Sequence, residues 1–192
     1  VPVLAWLYMQ RSMETITEIK EPEILSIKAG DMQDIEKLEL GTIDVSGDQS
    51  KDVVFCVYSA EPGKRYDLQL AHTTNIGFTY SIYKSSSPTK GGDITYLGKQ
   101  YKKGDLLQGG YLNLAEDRKH ATKKYHDITY GEYKQVQQAA EPLYWKSKVQ
   151  ETLPEKKDAS EEFYVNYYIL HISWDETVQN NKETDMIYLM AG

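Results

Sequence analysis

Two stretches of this chain are apolar on both faces of an extended backbone. A strand of that kind belongs inside a sheet that is covered on two sides. In the first stretch, Val53, Phe55 and Val57 fall on one face, and Val54, Cys56 and Tyr58 on the other. In the second, Phe163, Val165, Tyr167, Ile169 and His171 alternate with Tyr164, Tyr168, Leu170, Ile172 and Trp174. Packing both strands in one core covers all four faces at once, so a single domain is predicted.

The first stretch opens a run, Asp52 to Lys84, that reads as three strands joined by two turns. Glu61-Pro62-Gly63-Lys64 is turn chemistry. Tyr66, Leu68, Leu70 and His72 then alternate with Arg65, Asp67 and Gln69, and beyond a second loop Phe78, Tyr80 and Ile82 alternate with Thr79, Ser81 and Tyr83. Strands consecutive in sequence predict an antiparallel meander. Asp93 to Leu97 and Gln100 to Lys102 predict a short hairpin about Gly98-Lys99, and Met186 to Met190 is expected to pair back on Phe163 to Trp174 as a closing hairpin. The one clear helical pattern is Tyr133, Val136 and Ala140 within Glu132 to Ala140, stopped by Pro142. The fold class expected is mainly β: an antiparallel β-sandwich or open barrel of about eight to eleven strands, with one short helix. Residues 23–192 form the predicted domain, with polar loops near 85–92, 115–125 and 151–161.

Residues 1–22 read as an N-terminal arm. Val3, Leu4, Trp6, Leu7 and Tyr8 precede the first charge at Arg11. So apolar a strip must pack on its own sheet or on a neighbouring subunit, and the second is the expectation. Arg11 to Glu23 fits a short amphipathic helix or a polar strand. The opening segment has no basic leader and no small-residue cleavage site, so it does not read as a signal peptide. A first residue other than Met points to a processed chain or a portion of a longer one.

The net charge is −7, which argues against a nucleic-acid partner. Charge is unevenly spread: residues 1–48 hold ten acidic and four basic side chains, a net of −6, whereas residues 90–124 hold eight basic and four acidic, a net of +4. Opposite patches of this kind permit head-to-tail complementarity between copies. Sixteen Tyr against three Phe and three Trp suit half-buried strands and contact surfaces. No apolar run is long enough for a membrane span, and the single Cys56 reads as a small buried hydrophobe.

No catalytic motif emerges. His72 and His171 sit on predicted strands as structural side chains, and His120 and His126 lie among lysines that oppose a cation. Gly109-Gly110 lacks the Gly-Lys-Ser/Thr of a phosphate loop, and Ser46 to Ser50 lacks the ligand spacing of a calcium loop. No cofactor, metal or enzymatic activity is expected.

In general character, the Thr/Tyr-rich run Asp52 to Lys84 and the closing hairpin resemble small β-rich virion proteins of tailed phages, such as head-decoration, tail or fibre components. That resemblance implies a non-enzymatic structural subunit, located in a virion or extracellular assembly, whose partners are proteins or copies of itself. The second reading is a glycan- or cell-surface-binding module, with Tyr144, Trp145 and Trp174 as stacking faces.

Overall fold

The computed structural model describes residues 3–9, 25–29, 37–43, 49–74, 76–116, 118, 142–159, 161–175 and 184–192, the first three of these stretches by backbone alone. Fifteen strands run through them. They begin with β1 (Val3–Met9), β2 (Leu25–Ala29), β3 (Lys37–Ile43), β4 (Ser50–Ser59) and β5 (Arg65–Tyr66). Next come β6 (Leu68–His72), β7 (Thr79–Ser85), β8 (Ile94–Tyr96), β9 (Lys99–Tyr101) and β10 (Lys103–Leu106). The last five are β11 (Gly109–Tyr111), β12 (Leu143–Ser147), β13 (Glu151–Thr152), β14 (Tyr164–Ser173) and β15 (Thr184–Ala191).

The two strands that are apolar on both faces find each other. β14 pairs antiparallel with β4 along its whole length, from Tyr164 opposite Ser59 to Ser173 opposite Ser50. Together they centre a five-stranded sheet, ordered β10-β7-β14-β4-β2. Its inner face (Val53, Phe55, Val57, Ile82, Tyr168, Leu170 and Ile172) packs on Leu68, Leu70, Ile187, Leu189 and Ala191 of a six-stranded sheet, ordered β11-β12-β6-β15-β1-β3. Its outer face presents Val54, Cys56, Tyr167 and Ile169, and the β8–β9 hairpin covers them with Tyr101, Ile94 and Tyr96. The two-residue turn of that hairpin, Leu97-Gly98, takes positive φ at both positions, the geometry that matches strand twist. Cys56 is fully buried between these layers.

The pairing departs from the sequence expectation in several places. The Asp52 to Lys84 run is not a meander: β4 and β7 flank β14 in one sheet, while β6 lies in the other. Nor do β14 and β15 close as a hairpin, because they belong to different sheets. The physical reason is the same in both cases. Strands with two apolar faces must recruit partners distant in sequence to be covered, so most connections cross between sheets instead of turning back within one.

The expectation of an antiparallel sandwich or open barrel with one short helix is corrected as well. No sheet closes on itself, the strands fall into four separate sheets, and β1 runs parallel to β15. Among the described residues every regular element is a strand; the helix expected over Glu132–Ala140 lies outside them. None of the described residues forms a helix long and apolar enough to cross a membrane.

The strip Val3 to Tyr8 enters its own chain's sheet. β1 sits between β15 and β3, with Leu4 opposite Thr184 on one side and Thr42 on the other. An extended segment with two free edges gains backbone pairing on both sides in this position, which an arm laid on a neighbour gains only after association.

Candidate functional site

Two features of this architecture bear on function: the sheet edges and a polar cleft. In the six-stranded sheet the outer strands are β11 and β3; in the five-stranded sheet they are β10 and β2. β10 and β11 come from the basic segment 90–124, and β2 and β3 from the acidic segment 1–48. Each large sheet therefore runs from a strand of one charge region to a strand of the other. At β11 the ladder geometry shows what the edge offers. Leu112 N donates to Tyr144 O and Lys148 N donates to Gln108 O, both at 2.8 Å, with Gly110 opposite Lys146. The backbone groups of Gln108, Gly110 and Leu112 thus face β12, and those of Gly109 and Tyr111 point away from the sheet. Gly109 is required here because a Cβ would overlap the Trp145 ring, whereas a Cβ at Gly110 meets open space.

The cleft, about 590 Å³, opens between β7, β13 and β14, and Lys84, Glu151, Thr152 and Asn166 are among its lining residues. At its base a directed chain of hydrogen bonds links three strands. Asn166 Nδ2 donates to Tyr66 Oη at 2.8 Å and to Thr152 O at 3.0 Å. Tyr168 Oη donates to Glu151 Oε1 at 2.8 Å. Its proton being committed there, the bond between the two phenols must run from Tyr66 to Tyr168. Burial is the main cause that pushes both phenols well above the usual tyrosine range, so they remain donors; Tyr66 and Glu151 add to the effect at Tyr168. The Glu151 to Glu161 run reads as a solvent loop from its charges, yet Glu151 and Leu153 are buried. The signal missed in the sequence is Leu153, an apolar position next to Pro154 that draws the strand inward.

A second buried network lies where β6 leaves the six-stranded sheet. The His72 Nδ1–H donates to the Thr73 carbonyl at 2.9 Å, so Nε2 accepts from Tyr111 Oη at 2.7 Å. Burial lowers the His72 pKa to about 4 and raises that of Tyr111 to about 12. Thr73 Oγ1 and Ile76 N both donate to Asp185, at 2.7 and 3.2 Å, tying the β6–β7 crossing to β15. This network fastens the crossing loop, a structural role.

His171 Nδ1 lies 2.7 Å from Asp52 Oδ1, and Ser81 stands opposite His171 on β7. Serine, histidine and aspartate thus occupy one row across three strands. The Ser81 hydroxyl makes no hydrogen bond to the ring, so the row lacks the nucleophile–base contact of a hydrolytic triad. Among the described residues no cluster of three His, Cys, Asp or Glu side chains is placed to hold a metal ion.

The structure does not gather the aromatic residues named for glycan stacking. Tyr144 and Trp174 are buried, Trp174 against Phe78 at 5.2 Å, and Trp145 packs at the core margin beneath Gly109. Val3, Leu4, Trp6, Leu7 and Tyr8 are placed together on β1 by their backbone. His120 and His126 lie outside the described residues. No family model, characterised protein or solved structure matches this chain.

Proposed function

We propose that this chain is a non-enzymatic structural subunit that joins copies of itself head to tail through its sheet edges. The observation that carries the reading is that both large sheets end in edge strands drawn from segments of opposite net charge, although none of the four strands is itself acidic. Each ends in a strand of the basic segment, β10 or β11, and in a strand of the acidic segment, β2 or β3. A second copy presented edge to edge supplies a strand to the outward groups of Gly109 and Tyr111, and opposite charge orients the approach. Pairing of unlike edges is heterologous and propagates as a ring or filament. A tailed-phage virion component is the setting we assign, from the resemblance in sequence character.

The test is sedimentation velocity over a range of protein and salt concentrations. Association at low ionic strength should weaken toward 1 M salt, where the Debye length falls to about 3 Å. Gly110→Glu places a carboxylate in open space on the uncharged β11 edge, with its backbone donor still facing β12. That variant should remain monomeric with an unchanged melting temperature. A wild-type chain that stays monomeric under every condition, or a Gly110→Glu variant that associates as the wild type does, refutes the proposal.

A further inference from the structure

We propose that the cleft between β7, β13 and β14 is a binding site for a neutral carbohydrate. The site is built in advance of any ligand. Glu151 is 8 % exposed, and its Oε1 is held by Tyr168, itself 1 % exposed. Glu151 lines the cleft, and its carboxylate makes no hydrogen bond to the described residues beyond the one from Tyr168. Asn166 spends both amide protons on Tyr66 and Thr152, which leaves Oδ1 as an acceptor. The relay of Tyr66, Tyr168 and Asn166 fixes the direction of these acceptors, so a ligand hydroxyl that replaces solvent there meets groups already oriented.

The lining decides the ligand class. Lys84 supplies a cation and Glu151 an anion to the same cleft, so a ligand with charge of one sign gains from one and loses to the other. A polyol hydroxyl both donates and accepts, and therefore satisfies the carboxylate, the amide oxygen and the ammonium together. Val149 and Val165 add apolar surface for the C–H face of a sugar ring. The volume of about 590 Å³ lies within the range of small-ligand sites, roughly 300–1,000 Å³. None of these side chains is on β2, β3, β10 or β11, so the site is independent of edge-to-edge assembly.

The experiment is a titration of ¹⁵N-labelled protein with hexoses, N-acetylhexosamines and their β-linked disaccharides, with n-butylammonium and acetate as charged probes. At least one sugar should cause saturable shifts of the Asn166 side-chain amide and the Gln150 and Thr152 backbone amides. Glu151→Gln, which still accepts from Tyr168, should weaken that binding about tenfold through loss of a charged acceptor. Thr152→Arg, a substitution at an exposed position on the cleft wall, should abolish it while leaving the remaining spectrum in place. The proposal is overturned if no sugar saturates these resonances, or if butylammonium or acetate binds there more tightly than every sugar. It is equally overturned if both variants, folded by their amide spectra, bind as the wild type does.

Discussion

Acidification should destabilise this protein through His72. The ring is 2 % exposed, donates from Nδ1 to Thr73 and accepts at Nε2 from Tyr111, so the folded chain needs it neutral. Burial sets its pKa at about 4 against an ordinary 6.5. Because the folded value is lowered, the unfolded chain binds the extra proton. The associated stability is therefore complete above pH 6.5, falls as pH drops toward 4, and is gone below that. A difference of about 2.5 pKa units corresponds to about 3 kcal/mol, of which about 2 kcal/mol has been lost by pH 5. Total domain stabilities are about 5–15 kcal/mol, so the loss is readily measured. The assay is urea unfolding at intervals between pH 7.5 and 4.5, on the wild type and on His72→Gln. The substitution lowers stability at every pH, and the readout is the difference in slope. Carboxylates contribute to both curves alike, so the difference isolates the imidazole. Parallel curves between pH 7 and 5 would refute the reasoning.

Tyr168→Phe removes the donor to Glu151 and leaves a buried carboxylate short of a partner, which should cost about 1.5–3 kcal/mol in chemical denaturation; a cost near zero would show that solvent replaces the phenol freely. Deleting residues 1–9 takes out β1, which joins β3 to β15, so the melting temperature of the isolated subunit should fall. An unchanged melt would show that β1 contributes nothing to its own sheet.

Alternation in the sequence determined which side chains face inward. The faces of β4 and β14, Val53-Phe55-Val57 against Val54-Cys56 and Tyr168-Leu170-Ile172 against Tyr167-Ile169, are those read from a period of two. The β8–β9 hairpin was legible to within one residue, its turn falling at Leu97-Gly98 instead of Gly98-Lys99, because both strands lie within a few positions of one another. Pairing was not legible. Backbone hydrogen bonds carry no residue identity, so nothing in Asp52 to Lys84 says that β4 and β7 leave a gap for β14, about a hundred residues away in sequence. Nor does a charged run such as Glu151 to Glu161 reveal which carboxylate turns inward. That depends on Tyr66 and Tyr168 waiting on other strands, and only the tertiary structure brings the three together. The edges belong to both levels: the sequence separates acidic from basic segments, and the folded sheets put a strand from one segment and a strand from the other at opposite edges. Composition is a property of the chain, while adjacency arises only when distant strands must cover one another's apolar faces.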